Sequence, residues 1–543
     1  MKGQAFWEIV MRYWQNLAVL LIGLAGLAGG PVRAADRTLE LCQKTSGDES
    51  IAACTSVISR SNRTSAASRA SAYSYRGDAY ALKSQKDAAL ADYDEAIRLD
   101  PRNSRFYNQR ANVFYDKDEY DRAIGDYNEA IRIDPKSAIY FANRGGAYFE
   151  KKDSDHALTD YNEAIRLDSK YAAAYFKRAN LYFRKNDYNH AIDDFDAAIR
   201  LDPKISRFYN QRANVYYDKD EYDRAIADYN EAIRLDPKSA IYFANRGAAY
   251  VEKNDNDHAW ADYNEAIRLD PKYASGYFKR ANLYFEKKDY NRAIADYNEA
   301  IHLDPKNAGA FNKRGAAYLE KGEKDLALAD FNQALQIDPK YASAYNRRGN
   351  LFYNKGDYDH AIADYSNALL NDSKQAVYVS NRGLAYAEKR DAVLALADYN
   401  EAIRIDPKYS LAYTWRANLY ADKGDADHAI PDYNDAIRLD PNDATARYRR
   451  GIVFYDKGDR DLALADFNEA IRLDAKNTLA YNRRGIYYAD KGDKERAIAD
   501  YSEAIRLDPK FAVAYSNRGF VYSSTGNRDR AIADNSAGSQ TWI

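Results

Sequence analysis

Apolar positions in this chain fall on two helical stripes that reset every 34 residues. Counted from Ala70, positions 4, 8 and 11 of each unit share one face of a first helix. Positions 20, 24, 27 and 28 share one face of a second. Position 8 is always Gly or Ala (Gly77, Ala111, Gly145, Ala179), and position 20 is always Ala (Ala89, Ala123, Ala157, Ala191). Such small residues let two helix backbones approach closely. Position 11 is Tyr or Phe (Tyr80, Phe114, Tyr148, Tyr182), and aromatics at 4, 11 and 24 fill the space between one unit and the next. Pro at position 32, as in Pro101 and Pro135, stops the second helix. Gly or Asp near position 16, as in Lys321-Gly322-Glu323, marks the turn within the unit. The pattern therefore predicts a helix–turn–helix unit, and one pair alone cannot bury its apolar face, so units must stack.

The register holds without insertion or deletion. An aspartate at position 31 recurs thirteen times, from Asp100 through Asp134 and Asp168 to Asp508. Fourteen units start at residues 70, 104, 138, 172, 206, 240, 274, 308, 342, 376, 410, 444, 478 and 512. A longer copy lies over this one: residues 104–205 and 206–307 differ at only 21 of 102 positions, so three units were copied as a block.

A 34-residue period with Gly/Ala at 8, Tyr at 11, Ala at 20, Tyr/Phe at 24, Ala at 27 and Pro at 32 resembles the tetratricopeptide-repeat (TPR) family, from about Ala70 to Asp534. The resemblance implies an all-α, right-handed superhelical solenoid that binds other proteins. One departure is consistent: position 7 is Arg in all fourteen units, from Arg76 to Arg518. Its stem is expected to pack while its head reaches helix-end carbonyls or acidic neighbours.

The regions outside the units read differently. In residues 1–34, Lys2 and Arg12 precede an apolar run from Leu17 to Gly29 and a small-residue site, Val32-Arg33-Ala34, which together read as a secretory signal peptide. Met11 offers an alternative start, and an uncleaved anchor is the rival reading of the same run, although its length falls short of a bilayer span. Residues 35–69 form an N-terminal cap segment with one helix-like stretch, Glu49 to Ser59. The Ser/Arg-rich text to Ser71 is either a loop or the start of the next helix. The only cysteines, Cys42 and Cys54, are expected to form a local disulfide in an oxidising compartment, periplasmic or extracellular; a metal pair or two free thiols are the alternatives. Residues 535–543 read as an irregular tail, so the last apolar face is either covered by a partner or another copy, or belongs to a truncated frame.

Charge narrows the partners. Lys plus Arg (80) nearly balances Asp plus Glu (82), with no basic run, which argues against nucleic acid. Carboxylate pairs such as Asp193-Asp194 read as a solvated face, because similar acids recur in every unit. Five histidines (His156, His190, His258, His360, His428) stand at position 19 with no second ligand pattern for a metal. No phosphate loop, nucleophile–base arrangement or cofactor motif appears, and the expectation is no enzyme, no metal and no cofactor.

The TPR resemblance implies that positions 2, 5, 6, 9, 12 and 13 of the first helices line a concave groove. Position 9 carries Asn112, Asn180, Asn214, Asn282, Asn350 and Asn418. In long TPR superhelices of the O-GlcNAc transferase type, groove asparagines hydrogen-bond an extended peptide backbone. The same amides would equally serve to bond neighbouring helices, and both roles stay open. Position 12 adds aromatic surface at Tyr115, Phe149, Phe183, Tyr217, Phe285, Tyr353 and Tyr455. Position 13 adds acids such as Asp116 and Glu252 that suit a basic or neutral segment. The lysines at positions 2 and 5 that would clamp a C-terminal carboxylate are missing. The sequence thus points to an exported interaction scaffold, with self-assembly within a cell-envelope complex as the rival.

Overall fold

The computed structural model describes residues 34–60 and 64–540. Except for Ala34, the segment read as a signal peptide lies outside them. The described residues hold thirty helices and no strand, an all-α solenoid of helix pairs. Two compact units, Met1–Lys279 and Arg280–Ile543, repeat one pair geometry. In each pair the first helix covers positions 1 to 13 (Ser104–Asp116) and the second covers positions 17 to 30 (Tyr120–Ile133).

Three residues of the second helix supply the core. Ala at 20, Tyr or Phe at 24 and Ala at 27 are buried in nearly every pair, with Tyr161 and Tyr229 only 2% exposed. The close approach at position 8 is a real steric limit: a Cβ on Gly349 would stand 2.8 Å from Cε1 of Tyr365. First helices of successive pairs also touch one another, as Ala138–Glu150 and Ala172–Arg184 do.

The turn inside each pair has one special residue. Position 15 adopts positive φ in all fourteen units. Gly fills it at Gly322, Gly356 and Gly458, but Ser84, Asp118, Lys152, Asn186, Asp220, Asn254, Lys288 and Arg390 hold φ between 59° and 62°. Between pairs, the position-31 aspartate has a local task. Its Oδ1 accepts the backbone N–H two residues on, as from Lys170 to Asp168 at 2.9 Å, which shapes the loop to the next first helix.

The position-7 arginine settles on the acidic alternative. Each forks onto the position-23 aspartate of its own second helix, with closest N–O approaches of 2.6–2.8 Å from Arg76–Asp92 to Arg518–Asp534. In most units Nη1 also reaches back to position 25 of the preceding second helix: Arg348 donates to Asn332 at 2.7 Å and Arg450 to Asn434 at 2.5 Å. These aspartates are buried, which corrects the solvated-face reading of Asp193-Asp194. Asp193 is exposed, but Asp194 is 6% exposed and paired with Arg178. Adjacent residues differ because one helical step turns a side chain by about 100°.

Both ends also differ from expectation. The cap segment holds α1 (Ala34–Lys44) and α2 (Gly47–Ser59), and α3 (Ala66–Leu82) is the first helix of the first pair. Cys42 and Cys54 are disulfide-bonded and sit in a small core with Ala53, Val57 and Ala72. Arg76 of α3 donates to Thr55 of α2, so α2 takes the place of a preceding second helix. At the other end, residues expected to be irregular continue a helix, Arg528–Gln540, held by the Arg518–Asp534 pair and buried Ala531.

Two stability predictions follow from this geometry. Asp364→Ala leaves Arg348 partly buried without its carboxylate. It should cost about 3 kcal/mol, while the double change Arg348→Met, Asp364→Leu should recover most of it, as read by denaturant unfolding and hydrogen exchange over residues 342–398. Arg390→Gly removes a left-handed strain of roughly 1–2 kcal/mol against a smaller backbone-entropy loss. The melting temperature should therefore rise slightly or stay level, and a clear fall would show that Arg390 has another task.

Candidate peptide-binding face

The six position-9 asparagines lie on the first helices, and five of them share one contact. Their carboxamide oxygens accept the hydroxyl of the position-24 tyrosine across the pair: Tyr127 to Asn112 at 2.7 Å, Tyr229 to Asn214 at 2.7 Å, Tyr297 to Asn282 at 2.6 Å, Tyr365 to Asn350 at 2.8 Å and Tyr433 to Asn418 at 2.7 Å. Burial raises the pKa of these tyrosines, Tyr127 well above the ordinary value, so the hydroxyls stay protonated and donate. Asn180 differs because its partner position holds Phe195. Its oxygen accepts from Gln211 at 3.0 Å and its amide donates to the Phe176 carbonyl at 2.7 Å.

The other half of each carboxamide sorts the six further. Asn112 and Asn214 donate to Gln109 and Gln211 at 3.3 and 2.6 Å. The amides of Asn282, Asn350 and Asn418 keep their N–H donors without a protein acceptor among the described residues. Each of these side chains is only partly buried. A locked oxygen fixes which way a carboxamide points, so the donors are held in a set direction.

Five of the position-12 aromatics are half-buried and pack on the position-17 ring of their own unit, whereas Phe149 is buried with Arg184 over its ring at 3.4 Å and Tyr455 lies under Arg460 at 3.5 Å. Ring centroids are 5.5 Å apart for Tyr115–Tyr120, 6.1 Å for Phe183–Tyr188, 5.6 Å for Tyr217–Tyr222 and 5.5 Å for Phe285–Tyr290. Some reach the position-13 acid of the next unit, as Tyr217 donates to Glu252 at 3.2 Å and Tyr353 to Glu388 at 3.4 Å. Most of these acids, including Asp116, Asp218, Glu252 and Glu320, are exposed at the rim.

The histidines have a local task instead. His156 Nδ1 lies 2.8 Å from Asp153, the N-cap of its helix, and its ring stacks on Tyr148 at 5.0 Å. In other units Arg fills the same slot, as Arg292 does against Asp289 and over Tyr284. Among the described residues no group of three His, Cys, Asp or Glu is placed to hold a metal ion, and no helix is long and apolar enough to cross a membrane.

Sequence reasoning missed the Asn–Tyr lock, and it offered acidic neighbours for the position-7 arginine without naming the position-23 aspartate. Arg at position 7 and Asp at position 23 occur together in every unit, a fixed offset of 16 that signals the fork. The lock leaves a weaker signal, since a tyrosine at position 24 also faces Gly146 or Ala248 at position 9.

No curated protein matches the sequence. Among solved structures, the APC/C hetero-tetramer Cut9–Hcn1 aligns over 86% of this chain and 98% of its own, at 15% identity and a TM-score of 0.49. MamA aligns over 29% of this chain and 93% of its own, at 26% identity and a TM-score of 0.28. A tetratricopeptide repeat protein from Parabacteroides merdae aligns over 46% and 98%, at 20% identity and a TM-score of 0.38. A family model described as TPR repeat matches residues 77–118, 111–152, 145–186, 213–254, 247–288, 281–322, 317–356, 417–458 and 487–526. Two more, described as tetratricopeptide repeat, match residues 172–205, 342–374 and 444–477. With these matches in phase with the helix pairs and covering more than half of the sequence, the chain belongs to the tetratricopeptide-repeat family.

Proposed function

We propose that the chain is a protein-interaction scaffold that holds an extended segment of a partner along its first helices. The observation that carries this is the set of oriented, uncommitted amide donors on Asn282, Asn350 and Asn418, which recur every second unit. A peptide backbone in extended form offers carbonyl acceptors at regular spacing, and repeated modest hydrogen bonds of about 1 kcal/mol each add up along a solenoid. Half-buried rings at position 12, such as Phe285 and Tyr353, supply apolar surface beside the donors. The disulfide in the cap segment and the N-terminal apolar run support placement in an oxidising, exported compartment; a role within a cell-envelope complex belongs to the rival self-assembly reading.

The test must separate binding from folding, because Asn→Ala alone strands a buried tyrosine hydroxyl at about 1–3 kcal/mol. Each asparagine is therefore changed with its tyrosine: Asn282→Ala with Tyr297→Phe, Asn350→Ala with Tyr365→Phe, and Asn418→Ala with Tyr433→Phe. Removing both partners is nearly neutral for stability. Segments selected from a random peptide display library on the native chain should bind this variant at least roughly tenfold more weakly, with unchanged helicity by circular dichroism. Equal affinity would end the donor-ladder reading. Failure of the native chain to select any segment, together with an oligomer by light scattering, would favour self-assembly instead.

A further inference from the structure

The two copied blocks begin on different neighbours. Arg105 and Gln109 in the second unit are the counterparts of Arg207 and Gln211 in the fifth, but the units that precede them differ at three facing positions. In the first unit Asp78 stands at position 9. Arg105 donates to its Oδ2 at 2.9 Å, Gln109 to its Oδ1 at 2.8 Å and the Tyr93 hydroxyl to the same Oδ1 at 2.7 Å. Tyr75 stacks against the Arg105 guanidinium at 5.0 Å. Burial works against Arg105, yet Asp78 outweighs it and holds its pKa above the ordinary value. Here a carboxylate sits between an arginine, a glutamine and a tyrosine, and the local charge cancels.

At the corresponding place between the units that start at Ala172 and Ser206, each of these features changes. Asn180 replaces Asp78, Phe195 replaces Tyr93 and Lys177 replaces Tyr75. Gln211 still donates, now to the neutral Asn180 oxygen at 3.0 Å. Lys177 Nζ finds only neutral acceptors, the Ala142 carbonyl at 3.2 Å and the Asn143 side chain at 3.3 Å. Burial and the neighbouring charge of Arg207 bring the Lys177 pKa down to about 8. Arg207 is itself brought down to about 10 by burial, against smaller opposing effects of Tyr242, Tyr171 and Asp202, and it lies 5.0 Å from the Phe176 ring. Gly146, at position 9 of the unit before, lies beside the ammonium: a Cβ there would stand at ordinary contact distance, 3.5 Å, from Nζ. The unit that starts at Ala172 thus carries a second cation where the first unit carries an internal carboxylate. A partly dehydrated cation gains more from an anion than a solvated one does.

We infer that Lys177 and Arg207, with the Gln211 and Asn180 amides beside them, form a seat for a side-chain carboxylate of the bound segment. The inference rests on the first-helix groove reading above and adds a charge preference to it. The acidic rim at position 13 does not oppose it, because residues such as Asp218 and Glu252 are exposed and screened by solvent. The segment favoured at this register is acidic, not basic or neutral.

The test uses the full chain with a labelled glutamate-rich peptide and its glutamine twin, titrated by fluorescence anisotropy. The native chain should prefer the glutamate peptide by roughly tenfold, and added salt should shrink that preference. Asn180→Asp restores the carboxylate found at Asp78, and Lys177→Tyr restores the ring found at Tyr75. Both install residues already tolerated at the same register of the first unit, and each should bring the ratio close to one. A native ratio near one, or a preference that survives both substitutions, overturns the seat. If both peptides bind equally well, the seat falls and the groove reading stands. If neither binds, both fall.

Discussion

The fork between the position-7 arginine and the position-23 aspartate is the constraint on which the rest of the solenoid depends. A guanidinium presents parallel donors at fixed separation, so a bidentate pair sets both distance and angle between the helices it joins. Nη1 then ties the same side chain to the preceding second helix, for example Arg416 to Asn400. One residue thereby fixes the pitch within a pair and the step to the previous pair. A lysine would supply the charge without the geometry. Little of the net stability need come from these pairs, because burying two charges consumes much of their attraction. Stability comes from the packing of the small residues at positions 20 and 27 around the aromatic ring at position 24, as Ala429 and Ala436 pack with Tyr433. The fork instead penalises every other register, since a slipped pair would strand a buried carboxylate.

This division of labour explains what the sequence revealed and what it hid. The period, the helix pairing and the phase were legible because packing imposes a size at each position, and size leaves a pattern in residue type. The position-31 aspartate was legible as a marker, and its Asx contact supplies the reason. Charged residues were less legible, because Asp193 and Asp194 look alike in a list of letters while one is solvated and the other is the buried half of a fork. The arginine at position 7 and the aspartate at position 23 recur without exception, and a regular offset between opposite charges was the available clue. The α1 helix carried no repeat signature at all, so only its disulfide partner and its packing on α2 and α3 reveal it.

Position 9 shows the same limit at the candidate site. The sequence posed two roles for its asparagines, peptide recognition or helix bonding. The geometry assigns the oxygen to helix bonding, as Tyr365 donates to Asn350, and only in Asn282, Asn350 and Asn418 does the nitrogen remain for the proposed peptide contact. A choice between roles could not be made from residue type, because both use the same amide and differ only in direction.

The same position explains how a repeat this regular can hold specificity. Neither the Arg–Asp fork nor the alanine core touches position 9. That slot accepts Asp78, Asn112, Gly146, Ala248, Leu384, Ile452 and Phe520 in a constant frame. Position 6 is equally free, with Tyr75, Gln109, Asn143 and Lys177 in four successive units. A change at either position alters polarity on the first-helix face at little structural cost, provided that the position-24 tyrosine changes with it or keeps an acceptor. The first and fourth units illustrate this: Asp78 with Tyr93 in one place and Asn180 with Phe195 in the other are each internally satisfied, so both folds hold while their charge differs. The repeat supplies a constant frame, and paired substitutions across a single helix–helix contact make its units chemically distinct.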